Sequence, residues 1–196
     1  MKRWEPALCP ILVLVLASAF LGACSGHRVD LGLQAPPTFP IEPGGYERAV
    51  VTRVIDGDTI EVVIEQIVAG PGAGRAEIGK GYDVRLVGID TPESVKPGSP
   101  VECFGKESSS AAEALLDGHQ VRLVKDVEDV DGFDRLLRYV YLGDELAQAR
   151  LVTNGYATAF TYAPNVRHSE LFVQLQREAR QNDRGLWSPE SCDEQQ

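Results

Sequence analysis

Positive charge is scarce in this 196-residue sequence, because 19 Lys and Arg face 29 Asp and Glu and leave a formal net charge of −10 at pH 7. This acidity weighs against a general nucleic-acid coat protein, which is normally basic. Glycine and proline, at 19 and 12 residues, are too few for a collagen-like or low-complexity chain, and the apolar share of 43% excludes a fully disordered one. The composition therefore predicts a globular protein with one principal domain.

Long hydrophobic runs are also lacking. The most apolar stretch, Ala7 to Ala19, is shorter than the about 20 residues that a membrane-spanning helix needs. It follows a short positively charged segment, which is typical of an export signal. The sequence Leu21-Gly22-Ala23-Cys24 resembles the lipobox of bacterial lipoproteins, and a plain secretory signal cut near Ala23 is the alternative. We therefore expect a lipoprotein signal peptide at residues 1–23, lipidation of Cys24 and an extracytoplasmic location, at the outer membrane if the cell is Gram-negative.

Only four cysteines occur in the chain. Cys9 lies in the expected signal peptide and Cys24 would carry lipid, so Cys103 and Cys192 are left with a single possible pairing. An oxidising compartment favours a disulfide between them, and two unrelated free thiols are the alternative. A bridge across so long a segment would stabilise the fold by about 4 kcal/mol in the chain-entropy model.

Composition also divides the mature chain. Residues 24–46 contain four prolines followed by two glycines, without a sustained apolar period, which predicts an extended tether. A principal domain is expected at residues 47–188, and a polar tail at residues 189–196. No internal repeat is evident.

The principal domain begins with strand patterns and continues with interleaved helices. Ala49 to Ile55 and Thr59 to Ile64 are rich in β-branched residues and flank a compact turn, which predicts a hairpin. The Gly-rich segment 69–74 is interpreted as a long hairpin connection, because no helix start with a Lys-Ser or Lys-Thr pair follows it. The other expected strands are Tyr82–Ile89, Gln120–Lys125 and Leu136–Leu142, and the expected helices are Phe104–Leu116, Glu145–Asn154 and Ser169–Asn182.

Five short strands with about three helices outside them indicate an α+β, mainly β architecture. A small closed barrel such as an OB-fold accommodates this pattern, and its face commonly binds oligonucleotides or oligosaccharides.

Acidic residues stand at two turns of this pattern. Asp56-Gly57-Asp58-Thr59 offers two carboxylates where backbone carbonyls are also available, which suits a hard cation with oxygen ligands. An ordinary hairpin turn is the alternative. Asp90 and Glu93 bracket Pro92 where the next strand ends, and a solvated loop would explain them as well.

Two arginines stand within or at the start of predicted strands. Arg85 lies within an apolar strand, where an unpaired guanidinium is costly. It must reach solvent, pair with a carboxylate or bind an anionic ligand. Arg135 follows Asp131-Gly132-Phe133-Asp134 where a loop enters a strand, a position that is usually at the surface.

Taken in this order, the motifs resemble those of the thermonuclease (staphylococcal nuclease-like) family. The resemblance rests on Asp56-Gly57-Asp58-Thr59, on Arg85 with Asp90-Thr91-Pro92-Glu93, on Arg135 and on the closing Gly185-Leu186-Trp187-Ser188, and it extends from about Ala49 to Trp187. It implies an OB-fold and Ca²⁺-dependent cleavage of DNA and RNA, preferably single-stranded, in an endonuclease or exonuclease mode. No protein partner is inferred.

The resemblance also implies a role for each matching residue. It assigns Ca²⁺ to the side chains of Asp58 and Asp90 and to the backbone carbonyl of Thr91, with Asp56 in the outer shell. It makes Glu93 the general base or the group that orients the attacking water. Arg85 and Arg135 would clamp the scissile phosphate, and Phe160 and Tyr162 would contact the nucleotide unless they are core or rim aromatics.

Three departures from the family pattern affect nucleotide binding more than the reaction centre. Gly132 replaces a lysine, Phe160 replaces a tyrosine, and Asp134 replaces the glycine before Arg135, where its carboxylate is expected to compete with phosphate. The alternative function is therefore a catalytically weak or inactive nucleic-acid-binding module, or a scaffold lipoprotein, on the same fold.

Overall fold

The computed structural model of the chain describes residues 44–94 and 101–192. The predicted signal peptide, the lipidation site at Cys24, nearly all of the predicted tether and the last four residues lie outside these ranges. Within them, no helix has both the length and the apolar character required to span a membrane. The elements in chain order are β1 Tyr46–Asp56, β2 Thr59–Val68, β3 Gly81–Leu86, β4 Ile89–Asp90, α1 Gly105–Leu116, β5 Gln120–Val124, β6 Leu136–Leu142, β7 Glu145–Leu146, α2 Ala147–Thr153, β8 Thr158–Ala159, α3 Ser169–Gln181 and a 3₁₀ turn Gly185–Trp187.

Five of the strands form a closed barrel, as the sequence predicts. The order in the sheet is β3-β2-β1-β5-β6, with β7 added beyond β6. Neighbouring strands are antiparallel, and a parallel pairing between β3 and β6 closes the barrel. With three helices outside it, this architecture confirms the predicted OB-fold class.

The core follows the alternation of side chains along the strands. Ala49 and Val51 in β1, and Ile60, Val62 and Ile64 in β2, are at most 1% exposed, whereas the residues between them are more exposed. A period of two is the one that places alternate side chains on the inner face of a sheet. The β-branched pattern that predicts the hairpin therefore also fills the barrel.

Two predicted elements differ from the structure. The predicted helix Glu145–Asn154 begins instead at Ala147, because Glu145 and Leu146 pair with Leu142 and Tyr141 as a short hairpin strand, β7. The predicted strand Tyr82–Ile89 is interrupted after Leu86. The chain turns at Gly88, whose φ of 88° lies in the left-handed region that glycine adopts readily.

This turn gives the site a second small sheet. Strand β4 pairs with β8 rather than with the barrel, so Asp90 lies opposite Thr158. The Thr158 hydroxyl donates to the backbone carbonyl of Asp90 over 3.2 Å. Asp90 therefore belongs to a separate two-stranded sheet and not to the barrel.

The Gly-rich segment connects β2 to the antiparallel β3, as predicted. Cys103 and Cys192 form the predicted disulfide, with their Cα atoms 5.8 Å apart. The bridge links the start of α1 to the segment that follows the 3₁₀ turn.

Candidate functional site

Strand register brings together residues that are far apart in the sequence. Thr59, the first residue of β2, lies opposite Arg85 in β3. Val84, the neighbour of Arg85, lies opposite Leu136 in the parallel strand β6, and Arg135 directly precedes that strand. The pairing that closes the barrel therefore places both predicted phosphate-binding arginines beside the Asp56–Thr59 turn.

Arg85 is the centre of a carboxylate network. One of its terminal nitrogens, Nη2, lies 2.9 Å from Asp58 Oδ2 and 3.1 Å from Asp90 Oδ1. Its other terminal nitrogen donates to the Leu86 carbonyl over 3.1 Å. The Arg85 side chain is only 17% exposed. Arg85 therefore has the charged partners that its position in an apolar strand requires, and its side chain also lines a cavity.

Asp58 is a buried carboxylate with several hydrogen bonds. It accepts from the Thr91 backbone N–H over 3.2 Å and from the Thr59 hydroxyl over 3.1 Å. Burial raises the pKa of Asp58 above its ordinary value of 3.8, and the positive charge of Arg85 offsets this only in part. A second cation beside Asp58 would favour its ionised form further.

The predicted metal ligands are close together and chemically suitable. Asp58 and Asp90 each place an oxygen about 3 Å from the same Arg85 nitrogen, and Thr91 directly follows Asp90. The Thr91 hydroxyl oxygen is buried without a hydrogen-bond partner among the described residues, so this corner of the site has an unsatisfied polar atom. Carboxylate and carbonyl oxygens suit a hard divalent cation. Since the described residues contain no group of three or more His, Cys, Asp or Glu placed around one point, such an ion would also need the Thr91 carbonyl and water.

Asp56 and Glu93 are connected through Ser94, the residue that follows Glu93. Asp56 accepts the Gly57 N–H over 2.8 Å and the Ser94 hydroxyl. The bond from Ser94 attaches the loop that carries Glu93 to the β1–β2 turn. Glu93 is half-buried and lines the same cavity as Asp56, Asp58 and Asp90.

Arg135 is held by a residue to which the sequence reasoning assigns no role. Asp131 Oδ2 lies 2.7 Å from the Arg135 side chain, and Asp131 Oδ1 accepts the backbone N–H groups of Phe133 and Arg135. Burial raises the pKa of Asp131, but the hydrogen bonds from Arg135 and Phe133 outweigh it and leave that pKa below 3.8. Arg135 also approaches the Thr59 hydroxyl at 3.4 Å. The spacing of four residues between Asp131 and Arg135 is the only signal in the sequence that indicates this pair.

Asp134 does not take the position expected from its sequence neighbourhood. Its φ of 67° turns the backbone, and its carboxylate pairs with Arg75 at the end of the Gly-rich segment. The expectation that Asp134 competes for Arg135 is therefore not met in the structure, where Asp131 is the partner. Gly132 is exposed in the same turn.

Phe160 and Tyr162 flank a second, smaller cavity of about 250 Å³ next to the two arginines. Their ring centroids are 6.4 Å apart. Phe160 is 49% exposed, whereas Tyr162 is partly buried against the core. Phe133, which is 84% exposed, lies under the Arg135 guanidinium at 5.5 Å from ring centroid to Cζ. Both predicted aromatics therefore line this cavity, with Phe160 exposed and Tyr162 packed partly against the core.

The predicted catalytic, metal-binding and outer-shell residues line one cavity of about 540 Å³. The guanidinium groups in it are in contact with carboxylates: Arg85 is paired with Asp58 and Asp90, and Arg135 is paired with Asp131. Such a cavity can bind a tetrahedral anion through the arginines while a carboxylate accepts a proton from water. The remaining lining residues are Ile55, Asp56, Asp58, Thr59, Asp90, Thr91, Glu93 and Phe133.

The chain is similar to a known protein family and to several known proteins. The sequence model of the staphylococcal nuclease homologue family matches residues 83–189. The thermonuclease of Staphylococcus intermedius is 40% identical over 141 residues, which are 72% of this chain and 76% of that protein. The thermonuclease of Staphylococcus hyicus is 38% identical over 138 residues, 70% and 74% of the two chains. Endonuclease YncB of Bacillus subtilis is 33% identical over 138 residues, 69% and 59% of the two chains.

Proposed function

Because this chain belongs to the staphylococcal nuclease homologue family, we propose that it is a metal-dependent nuclease that hydrolyses phosphodiester bonds in DNA and RNA. The observation that carries the proposal is that Arg85, Arg135, Asp58, Asp90 and Glu93 line one cavity. These residues come from four separate segments of the chain. The two guanidinium groups suit the negative charge of a phosphodiester, and the carboxylates suit a metal ion and a general base.

Ca²⁺ is the proposed ion, held by the carboxylates of Asp58 and Asp90 and by the Thr91 carbonyl, with Asp56 in the outer shell. Oxygen-only donors of this kind favour Ca²⁺ over softer metals. When bound, the ion supplies positive charge to the phosphate and lowers the pKa of nearby water. The buried Asp58 carboxylate, which Arg85 compensates only in part, supports a cation at this position.

The protein side chains perform the remaining tasks. Glu93 accepts the proton of the attacking water, for which it must be ionised. Arg85 and Arg135 bind the non-bridging oxygens, on which negative charge grows in the transition state. Asp131 keeps the Arg135 guanidinium in place through a 2.7 Å contact, so that binding the phosphate does not require the side chain to be ordered anew.

Substrate binding relies on few charges. Phe160 and Tyr162 contact the nucleotide, and stacking on exposed rings favours single strands, whose bases are accessible. The net charge of −10 gives no long-range attraction for a polyanion. We expect modest affinity with a shallow salt dependence, because few phosphates are neutralised.

The test is a Glu93→Gln substitution in the full-length chain, purified in detergent and given single-stranded DNA or RNA with Ca²⁺ or with chelator. Removal of a general base lowers kcat by about 10²–10⁴-fold. Metal binding, measured by calorimetry with Ca²⁺ alone, should persist because Glu93 is not a proposed ligand. Glu113→Gln, at an exposed position of α1, is the matched control.

Three results would contradict parts of the proposal. Unchanged turnover in Glu93→Gln would show that Glu93 is not the base. Cleavage in chelator would remove the metal dependence. Binding without cleavage by the unmodified chain would favour the alternative, a nucleic-acid-binding module.

We further propose that the protein is exported and anchored by lipid on Cys24, so that it acts on nucleic acid outside the cytoplasm. The apolar N-terminal stretch and the lipobox-like Leu21–Cys24 support this. Metabolic labelling with a fatty acid should mark the unmodified protein but not Cys24→Ser. Equal labelling of the two, or none of either, would refute lipidation.

A further inference from the structure

The main chain at Glu93 is bonded to a second glutamate, to which the proposed reaction assigns no role. The Glu93 backbone N–H donates to Glu102 Oε2 over 3.0 Å. In return, the Glu102 backbone N–H donates to the Glu93 carbonyl over 2.9 Å. This reciprocal pair fixes both backbone polar groups of Glu93 to one residue. A hydrogen bond to an ionised carboxylate is roughly twice as strong as a neutral one.

The position of Glu102 is itself fixed. The next residue, Cys103, is bonded to Cys192, and the Gly105 N–H donates to the Glu102 carbonyl over 3.0 Å. Gly105 also packs tightly under Glu93, since a Cβ on Gly105 would stand 2.6 Å from the Glu93 carbonyl oxygen. Glu102 is therefore attached to the start of α1 and, through the disulfide, to the C-terminal segment.

The residue after Glu93, Ser94, is attached to the Asp56–Thr59 turn. The hydroxyl of Ser94 donates to Asp56, whose carboxylate also accepts the Gly57 N–H. Glu93 thus lies between two anchors, Asp56 on the barrel and Glu102 at the helix. Glu102 is bonded directly to the main chain of Glu93, whereas the bond to Asp56 comes from the next residue, Ser94.

We propose that Glu102 is a positioning residue for Glu93: its carboxylate holds the Glu93 main chain so that the Glu93 carboxylate points into the cavity. This inference rests on the proposed function of Glu93 as the base. A proton acceptor must remain within hydrogen-bond reach of the attacking water, and a displacement of about 1 Å can lower a rate about 10²-fold. Glu102 does not line the cavity and acts only through Glu93.

The decisive variants are Glu102→Met, which removes the acceptor at similar side-chain length, and Glu102→Gln, whose amide oxygen still accepts the Glu93 N–H. Glu113→Met, at an exposed position on α1, is the matched control. Glu102 is itself exposed, so neither substitution disturbs the core. A thermal melt of each full-length variant checks folding.

The first readout is hydrogen exchange of the Glu93 amide in the metal-free protein, resolved to that residue. We expect about tenfold faster exchange or more in Glu102→Met, because a charge-assisted bond of about 1.5 kcal/mol or more is lost. Glu102→Gln and the control should stay within about threefold of the unmodified chain. Equal protection in Glu102→Met would overturn the proposal, whatever the activity.

The second readout is steady-state cleavage of single-stranded DNA. We expect kcat to fall by about 10- to 100-fold in Glu102→Met with KM nearly constant, and to recover in Glu102→Gln, since misplacing the base affects the transition state and not ground-state binding. A rise in KM at constant kcat, or unchanged kcat despite faster exchange, would overturn the proposal. An inactive unmodified chain would refute the proposed function instead, and amide exchange would then decide alone whether Glu102 holds Glu93.

Discussion

The side chain of Arg138 is completely buried, so its positive charge must be compensated entirely by protein groups. It and Glu47 are both 0% exposed. Arg138 Nε and Nη2 donate to the two Glu47 carboxylate oxygens over 2.9 and 3.0 Å, and Nη2 also donates to Asp129 over 2.6 Å. The carbonyls of Leu137 and Asp129 accept from Nη1 at 2.8 and 2.9 Å. Every donor of the guanidinium is therefore used.

We predict that Arg138→Met lowers the free energy of unfolding by about 3–5 kcal/mol, because it leaves the Glu47 carboxylate buried without its counter-charge. For a domain of this size, that corresponds to a fall in Tm of about 10 °C. The double variant Glu47→Gln/Arg138→Met removes both charges and should be more stable than Arg138→Met alone.

Urea denaturation followed by circular dichroism measures these differences. Arg53→Met is the matched control: Arg53 pairs with Glu61 at a similar distance of 3.0 Å, but the two side chains are 64% and 40% exposed, so the loss should be below about 1 kcal/mol. If Arg138→Met were as stable as Arg53→Met, or the double variant no better than Arg138→Met, the buried pair would not control stability as argued.

The disulfide should raise stability chiefly through the unfolded chain: Cys103→Ser/Cys192→Ser, whose bridge spans 89 residues, should lose about 4 kcal/mol in urea denaturation. The reduced unmodified chain should match this variant, and equal stability of the oxidised and reduced proteins would contradict the estimate. Burial, followed by the charge of Arg167, lowers the pKa of His168 from 6.5 to about 4. The unfolded chain therefore binds a proton at higher pH than the folded one, so stability should fall as the pH drops from 6.5 to 4. His168→Gln should flatten this fall, and parallel urea midpoints of the two proteins across that range would count against the assignment.

Local patterns in the sequence predict most of the fold. The β1–β2 hairpin follows from β-branched alternation around Asp56-Gly57-Asp58, and Asp56 does pair with Thr59 across the turn. Helix α1 ends at Leu116 as predicted, just before Gly118, whose φ is 70°. Such signals depend on neighbouring residues alone, and a single sequence contains them in full.

Contacts between distant segments carry no comparable signal. The β4–β8 ribbon consists of two residues on each strand, too short for any periodicity, and it exists because the chain turns at Gly88. The partner of Asp134 is Arg75, 59 residues away, whereas sequence adjacency suggests Arg135. Residue roles that depend on such pairs become visible only in three dimensions, whereas the pairing of Asp131 with Arg135 has its four-residue spacing as a weak signal in the sequence.

The residues of the candidate site could be predicted from their chemical type and from the family resemblance. Arg85 within an apolar strand requires a charged partner on physical grounds alone, and the structure supplies Asp58 and Asp90. The proposed positioning role of Glu102 has no such signal, because exposed glutamates without a special role are common in protein sequences. Its importance arises from a backbone contact that only the fold creates.

The parallel pairing of β3 with β6 has a consequence for when the protein can become active. Arg85 in β3 and Arg135 before β6 come together only when these two strands pair and close the barrel. A folding intermediate with an open barrel therefore lacks an assembled site, although it contains all of the site residues. Catalytic competence is then an all-or-none property of the finished fold. If the chain is exported, as proposed, and crosses the membrane unfolded, it would carry no hydrolytic activity toward the nucleic acids of the cell that made it during the crossing.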